Sequence, residues 1–302
     1  MVPLVECVPN FSEGRRADIV EAILDSIRRT AGAHILDWSS DPNHNRTVVT
    51  LAGGPPAVEE AAFRAVACAA ERIDLRLHRG VHPRIGAADV VPFIPLENFP
   101  MEDCIGMARR LAQRIGNELR LPVYLYARAA VRPERTDLST IRQGGYEELA
   151  AAIGRDPARA PDFGPAQIGP AGATAVGARG PLIAFNVFLD TADVEIARQI
   201  AGRIRSSSGG LPCLKALGFP VAGRAQVSMN LTEYTQTSLK AAFDAVRLEA
   251  GKLGVRIDRS ELIGLAPRQA VLGIDPSNLR LENFSETKIL ERRLQAVGLT
   301  QE

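Results

Sequence analysis

The stretch HRGVHPRIGAADVVPFIPL, residues 78–96, joins a polar loop directly to an apolar strand. The glycines and prolines of residues 78–86 oppose a helix, so this part is predicted to be a loop. The run VVPFIPL that follows is typical of a buried strand. The ionisable side chains of the loop are His78, Arg79, His82 and Arg84. We therefore expect them at a rigid strand edge, a place suited to proton transfer near neutral pH.

On either side of this strand, helical and extended patterns alternate in the same order in both halves of the chain. The order in each half is strand, helix, strand, strand, helix, strand, which is that of the ferredoxin-like unit. We therefore predict an α/β (α+β) fold of two ferredoxin-like βαββαβ subdomains, residues 1–178 and 179–302. Each is expected to hold a mixed sheet covered by helices, with a ligand cleft between the two subdomains.

Two polar stretches are predicted to be irregular. Residues 39–45, SSDPNHN, are expected to form the turn of a hairpin in the first half. Residues 162–180, DFGPAQIGPAGATAVGARG, contain five glycines and two prolines and show no helical period. We expect this longer stretch to be a hinge and a ligand-contacting loop. It contains neither of the common phosphate-binding glycine motifs, so nucleotide binding is not favoured.

Composition argues against several kinds of partner. The chain has 302 residues, a net charge of +1 and 46% hydrophobic residues, as expected for a globular protein that binds small molecules rather than nucleic acid or a membrane. Its four cysteines are scattered, so we expect no disulfide framework and a cytoplasmic location. His78 and His82 have the spacing of zinc ligands on a helix, but glycine and proline break that helix, and we predict no metal.

His82 is the candidate catalytic residue. Its neighbours Val81 and Pro83 restrict the backbone on both sides, which suits a side chain that must meet a reacting atom. The alternative is a structural histidine that caps a turn. Residues 43–46, NHNR, precede a predicted strand and offer amides and a guanidinium, although such groups most often satisfy the backbone of a turn.

Other polar residues stand in apolar surroundings. Asn10, Asn186 and Asn230 lie in or at the ends of predicted strands, where an amide side chain needs hydrogen bonds from protein, water or ligand. A shared polar cleft would explain all three, and ordinary turn contacts would explain any one. Asp162 and Phe163 offer a hydrogen-bond acceptor and a stacking face to a flat heteroaromatic ligand, with core packing of Phe163 as the alternative.

Seven segments of the chain, in order, resemble the glutamate formiminotransferase family. They are VECVPNFSEG (5–14), HNRTVVTLAG (44–53), VHPRIGAADVVPFIP (81–95), PVYLYA (122–127), PDFGP (161–165), GARGPLIAFNV (177–187) and AQVSMNL (225–231). Agreement of several long segments at once is a specific signal. The chain is similar to the stand-alone transferase region, without the cyclodeaminase domain of the bifunctional enzymes.

The resemblance implies transfer of a formimino group from N-formimino-L-glutamate to N5 of tetrahydrofolate, in histidine degradation, by a homodimer that binds folate in the cleft between subdomains. The family's catalytic histidine matches His82. Its folate-contacting loop matches residues 162–172, which include Asp162, Phe163, Gly164 and Gly172, and Asn10, Asn186 and Asn230 are expected near the cleft. Ser39 and Ser40 stand where the resemblance leads us to expect an acidic residue. Which carboxylate assists His82 is therefore open.

The implied chemistry agrees with the residues. N5 of tetrahydrofolate loses a proton as it attacks the amidine carbon, and the departing glutamate nitrogen gains one, so one histidine can do both in sequence. The candidates to hold the cationic formimino group are Asp37, Asp41 and Asp89. The candidates to hold a glutamate carboxylate are Arg46 and Arg84, and Asn45 is placed with them as a substrate-binding residue.

Two alternatives use the same folate site. One is a 5-formyltetrahydrofolate cyclo-ligase or a formyl transfer from formylglutamate, because a folate cleft does not by itself choose the one-carbon unit. The other is a catalytically silent folate-binding or scaffold protein, against which the ionisable loop of residues 78–86 argues.

Overall fold

The computed structural model describes residues 2–282 and 284–301. The chain forms two compact units, Met1–Arg179 and Gly180–Glu302. Each unit contains one β-sheet with helices packed on it and buries its own apolar residues. The mixed α and β class predicted from the sequence is confirmed.

The first unit contains the strand predicted from the run VVPFIPL, and this strand lies inside its sheet. In chain order its described elements are β1 (Val5–Cys7), β2 (Asn10–Phe11), α1 (Ala17–Arg28), β3 (Ala33–Asp41), β4 (Arg46–Gly53), α2 (Pro55–Arg72), β5 (Ala88–Pro95), α3 (Met101–Arg114), β6 (Val123–Ala127), α4 (Leu138–Arg142), α5 (Gly145–Ala152) and β7 (Thr174–Ala178). The sheet order is β1-β4-β2-β5-β7-β6, and β3 pairs with β4.

Strands β1 and β2 behave as one interrupted strand. Both pair antiparallel with β4 and with β5, and Val8 and Pro9 lie between them. Proline has no backbone N–H to donate to a sheet, which accounts for the break. Strands β1/β2, β3, β4 and β5, with helices α1 and α2, therefore give the predicted βαββαβ order. The break places Asn10 at the start of β2, opposite Val48 and Val90.

Strand β7 corrects the prediction of one long loop over residues 162–180. It is buried along its whole length and pairs parallel with β5 and β6. A Cβ atom at Gly177 would lie 2.5 Å from Cδ1 of Tyr126, so only glycine fits there. The sequence TAVGA predicts a loop because its small residues lack the bulky side chains that are typical of a strand.

The hairpin of β3 and β4 is longer than expected. Residues 39–45 were predicted to be a turn, but Ser39 and Ser40 belong to β3 and pair with Val48 and Thr47. The hydroxyl groups of Ser40 and Thr47 are hydrogen-bonded at 2.6 Å, which keeps these polar residues in the ladder. The turn itself is confined to residues 42–45.

The second unit is the simpler of the two. Its described elements are β8 (Ile183–Leu189), α6 (Val194–Ile204), β9 (Leu214–Val221), β10 (Arg224–Leu231), α7 (Leu239–Lys252), β11 (Ile257–Ile263), α8 (Arg268–Val271) and α9 (Leu290–Ala296). The strand order is β11-β8-β10-β9, the ferredoxin-like order. All three pairings are antiparallel, so the prediction of a mixed sheet is wrong for this unit. Strand β10 lies between β8 and β9, which separates the two strands that helix α6 connects.

Helices cover the sheets through apolar stripes. In α1, Ile19, Val20, Ile23, Leu24 and Ile27 are all buried, and their spacing follows the helical period. In the part of the chain that the structure describes, no helix combines the length and the apolarity needed to cross a membrane.

Candidate active site

A polar pocket lies beside the loop of residues 78–86, which is not helical, as predicted. Its lining residues are Ser12, His44, Asn45, Arg46, His78, His82, Arg84 and Asp89. They come from the residue after β2, the β3–β4 turn, the start of β4, the loop and the start of β5. The break between β1 and β2 and the hairpin turn thus deliver polar groups to one end of the sheet.

His82 is oriented by two contacts. Its Nδ1 lies 2.7 Å from the carbonyl oxygen of Pro83, and Nη1 of Arg46 lies 2.8 Å from Nδ1 and close to Nε2. In the tautomer that carries its proton on Nδ1, this nitrogen donates to Pro83 and Nε2 holds the lone pair. Burial, followed by the charges of Arg46 and Arg142, lowers the pKa of His82 well below its usual value. His82 is therefore a neutral base at pH 7.

Arg46 links His82 to the interrupted strand. Its Nε donates to Oδ1 of Asn10 at 2.9 Å, and Nδ2 of Asn10 donates to the carbonyl of Val8 at 2.8 Å. Burial, followed by the repulsion of Arg142, lowers the pKa of Arg46 to about 9, with Asp89 acting in the opposite direction. Arg46 remains a cation at neutral pH, and its hydrogen-bond partners are neutral groups.

His78 has a different environment from His82. Its Nε2 donates to the carbonyl of Asn45 at 2.9 Å, and its Nδ1 accepts from Nε of Arg84 at 3.0 Å. The side chain is buried, and burial lowers its pKa. His78 is buried and hydrogen-bonded at both nitrogens, so it fixes the loop. His82 also has hydrogen-bonded ring nitrogens, but its side chain is partly exposed.

Arg84 is also committed to the protein. Besides its contact to His78, its two Nη atoms donate to the carboxylate of Glu147 at 3.0 and 2.8 Å. This bidentate contact occupies both Nη atoms of Arg84, which would otherwise bind the carboxylate of a ligand. Of the two arginines that the sequence offered for a glutamate carboxylate, Arg46 is the one whose environment favours an anion.

Asn45 holds the β3–β4 turn against the loop. Its backbone is left-handed, with φ of 49°. Its Oδ1 accepts from the backbone N–H of Gly14 at 2.9 Å, and its Nδ2 donates to the carbonyl of Arg79 at 3.1 Å. Both partners lie outside the turn, 31 and 34 residues away in the chain, so Asn45 ties the turn to two other segments.

Asp89 connects the site to a helix that sequence analysis did not consider. Its Oδ1 accepts from the backbone N–H of Ile85 at 2.8 Å, and its Oδ2 accepts from Nη2 of Arg142, at the end of α4. Arg142 is 53 residues away in the chain. It lies outside the seven segments that resemble a known family, so its contact with Asp89 is seen only in the folded chain.

The last part of the predicted ligand loop runs beside the loop of His82. The backbone N–H of Ala173 donates to the carbonyl oxygen of Ile85 at 2.9 Å, and the two segments form a β-bridge at Gly86 and Gly172. A Cβ at Gly86 would lie 1.9 Å from the carbonyl oxygen of Ala173, and one at Gly172 would lie 2.2 Å from that of Ile85. Both positions therefore require glycine for a close backbone approach.

Asp162, Phe163 and Gly164 have structural contacts. Oδ1 of Asp162 accepts from Arg135 and Oδ2 from the backbone N–H of Leu125, both at 2.7 Å. Phe163 forms a bridge with Val123 and packs against the apolar cluster of the unit, and Gly164 follows with φ of 78°. This segment therefore anchors β6, and its role in folate binding stays a prediction.

The remaining predicted residues do not line the pocket. Asp37 lies on β3 opposite Thr50. Asn186 and Asn230 belong to the second unit: Nδ2 of Asn186 donates to Glu261 at 3.0 Å, and Asn230 is exposed on β10. Among the described residues, no cluster of three or more His, Cys, Asp or Glu side chains is arranged to hold a metal ion.

Comparison with known proteins covers almost the whole chain. Residues 4–179 match the N-terminal subdomain of the formiminotransferase domain, and residues 184–300 match the formiminotransferase domain. A glutamate formimidoyltransferase of Thermoplasma acidophilum is 48% identical over 97% of both chains. One of Streptococcus pyogenes is 43% identical over 97% of this chain and 99% of its own. The rat formimidoyltransferase-cyclodeaminase is 42% identical over 90% of this chain and 52% of its own length.

Proposed function

The chain belongs to the formiminotransferase family, and we infer that it is a glutamate formimidoyltransferase, an enzyme of one-carbon group transfer. The observation that carries this inference is the identity of 43% or more, over nearly full length, to two enzymes of that name. The reaction moves the formimino group of N-formimino-L-glutamate to N5 of tetrahydrofolate, which is a co-substrate.

We propose that His82 is the general acid and base. N5 of tetrahydrofolate attacks the amidine carbon and its proton passes to Nε2 of His82. The same nitrogen then returns the proton to the glutamate nitrogen as the carbon–nitrogen bond to glutamate breaks, which leaves 5-formiminotetrahydrofolate and glutamate. The contact of Nδ1 with the carbonyl of Pro83 supports this role, because the tautomer that donates there has its lone pair on Nε2. Proton transfer of this kind contributes about 100- to 10,000-fold to a rate.

We propose Asp89 as the carboxylate that faces the cationic formimino group. Of Asp37, Asp41 and Asp89, it is the one that lines the pocket with His82. Its two oxygens are held by Ile85 and Arg142, so its position is rigid and its charge acts at short range without rearrangement.

For folate we propose residues 162–172, with Asn186 and Asn230 of the second unit, within the subdomains 1–178 and 179–302. The contact of Gly172 with the loop of His82 supports the first part of this proposal. The same proposal includes five further points: a cleft between subdomains, a homodimer, a cytoplasmic location, a role in histidine degradation and independence from metal ions.

The alternative reactions gain no support. The three relatives described above carry the names of formimidoyltransferases, and none is named for a cyclo-ligase or a formyl transfer. The rigid placement of His82 beside a buried cation also argues against a silent folate-binding protein.

The test is an assay with N-formimino-L-glutamate and tetrahydrofolate that follows 5-formiminotetrahydrofolate by absorbance, with N-formylglutamate and ATP in parallel reactions. We expect turnover with the formimino donor without ATP. Turnover only with the formyl donor, or only with ATP and 5-formyltetrahydrofolate, would contradict the proposed function.

A further inference from the structure

Arg46 is a cation without an ion-pair partner among the residues that the structure describes. Its guanidinium donates to Asn10 and to His82, both neutral, and among residues 2–282 and 284–301 no carboxylate lies within ion-pair distance of it. A buried or half-buried cation without a counter-charge is costly. Such a cation at a functional pocket is explained when an anionic ligand completes it.

Arg142 brings a second cation to Asp89, which lines the pocket with Arg46. Its Nη2 contacts Asp89, its side chain is 15% exposed, and its buried Nε has no hydrogen-bond partner in the described part of the chain. The charge of Arg142 contributes to the lowered pKa of Arg46, after burial. The carboxylate of Asp89 pairs with Arg142, and its other oxygen accepts from Ile85, so it does not form an ion pair with Arg46 as well.

The position of this charge excess restricts the anion. Arg46 touches the ring of His82, so the anionic group must lie within a few bonds of the nitrogen that His82 protonates. In N-formimino-L-glutamate the α-carbon carries both that nitrogen and the α-carboxylate. The γ-carboxylate is two carbons further away, and the glutamyl carboxylates of folate lie beyond the aminobenzoyl ring from N5.

We propose that Arg46 and Arg142 together bind the α-carboxylate of the formimino donor, and that Arg142 is a specificity-determining residue of the reaction. This proposal rests on the proposed function and names the part of the donor that the site recognises. Asp89 then faces the formimino cation while the two arginines face the carboxylate, so opposite charges of one substrate meet opposite charges of the site.

Donor binding would also prepare His82 for catalysis. The same two guanidinium groups lower the pKa of His82 in the free enzyme. A carboxylate bound between them neutralises part of this charge, so the pKa of His82 rises when the donor is present. His82 becomes a stronger base when there is a substrate to act on.

The experiment compares two ligands and two arginine variants. The dissociation constants of N-formimino-L-glutamate and of its α-carboxamide analogue are measured by calorimetry for wild type, for Arg142→Gln and for the surface control Arg155→Gln, which is exposed. We expect wild type and the control to prefer the carboxylate by about 10- to 100-fold, as a charge-assisted contact requires. In Arg142→Gln most of this preference should be lost.

A second variant guards against a folding defect. Arg142→Gln leaves Asp89 without its cation, whereas the double variant Asp89→Asn with Arg142→Gln keeps a neutral pair and should give the same loss of preference. An unchanged preference in either variant would overturn the proposal. In a parallel comparison of tetrahydrofolate with tetrahydropteroate, kcat/KM should keep the same ratio in Arg142→Gln, and a ratio that collapses there would assign the arginines to the folate tail.

These measurements separate the proposal from the function on which it rests. Binding is measured without folate and without turnover. A chain that loses carboxylate preference in Arg142→Gln, yet transfers no formimino group as wild type, would refute the proposed function and keep the carboxylate site.

Discussion

The two ends of the loop of residues 78–86 differ in what surrounds their histidines. His78 is buried, and both of its ring nitrogens are hydrogen-bonded to the protein. His82 is also hydrogen-bonded, to Pro83 and to Arg46, but its side chain is partly exposed at the pocket. The same residue type therefore fixes the loop at one end and is accessible to a ligand at the other. The difference lies in how deeply the fold buries each ring.

The largest effect is expected at the His82 end. His82→Gln should lower kcat by about 100- to 10,000-fold, because it removes the group that moves the proton. The melting temperature should change little, since the side chain is partly exposed. Steady-state assays check this, with His34→Gln on β3 as the control histidine. Turnover near that of wild type would remove the distinction between the two ends.

The His78 end should respond in stability. His78→Leu leaves the Nε of Arg84 and the carbonyl of Asn45 without their present partner. Such a loss costs about 1–3 kcal/mol of unfolding free energy. Denaturant titration measures it, and kcat of the folded fraction should stay much closer to wild type than that of His82→Gln. A variant as stable as wild type but inactive would reverse the roles of the two histidines.

Both ends should contribute to loss of stability in acid. The pKa of each histidine is lowered in the folded chain, so the unfolded chain binds more protons below pH 6.5. The unfolding free energy should therefore fall as the pH drops below 6.5, by about 1.4 kcal/mol for each histidine and each unit of pKa difference.

The check is unfolding at several pH values in wild type and in His82→Gln. The variant should lose less stability between neutral and acid pH, because one of the two histidines no longer takes up a proton on unfolding. An equal loss in the two proteins would show that His82 is not held neutral by the fold.

The smallest effect is expected at the outer partner of Arg84. Glu147 is 62% exposed, so Glu147→Gln should cost about 0–1 kcal/mol, as surface ion pairs do. Arg84 keeps its contact to His78 in this variant. A loss comparable with that of His78→Leu, measured in the same titration, would mean that the ion pair and not the histidine holds the loop.

Much of the fold followed from local pattern, and the errors have local causes. The strand after Gly86 and the order βαββαβ could be seen because apolar runs and helical stripes were intact. Strand β7 was not predicted because it contains glycine at position 177, where the side chain of Tyr126 leaves no room for a Cβ atom. The bulky residues that usually indicate a strand are therefore missing. The predicted turn at residues 39–45 is longer than the observed one. Polar residues usually indicate a turn, but the hydroxyl groups of Ser40 and Thr47 are hydrogen-bonded to each other within the paired strands.

Only part of the site could be predicted from the sequence. His82 and Arg46 stood in segments whose resemblance to a family marked them, and the structure brings their side chains together. Arg142 carries no such mark, since its contact with Asp89 spans 53 residues and exists only after folding. The pairing of Asp162 with Arg135 could not be foreseen for the same reason.

The pH dependence of kcat/KM for the formimino donor shows which histidine transfers the proton, because it reports the ionisation of the free enzyme. We predict an acid limb with an apparent pKa below 6.5 that persists in His78→Leu and disappears from the residual activity of His82→Gln. An acid limb that stays in His82→Gln, or one lost in His78→Leu, would contradict the assignment of proton transfer to His82.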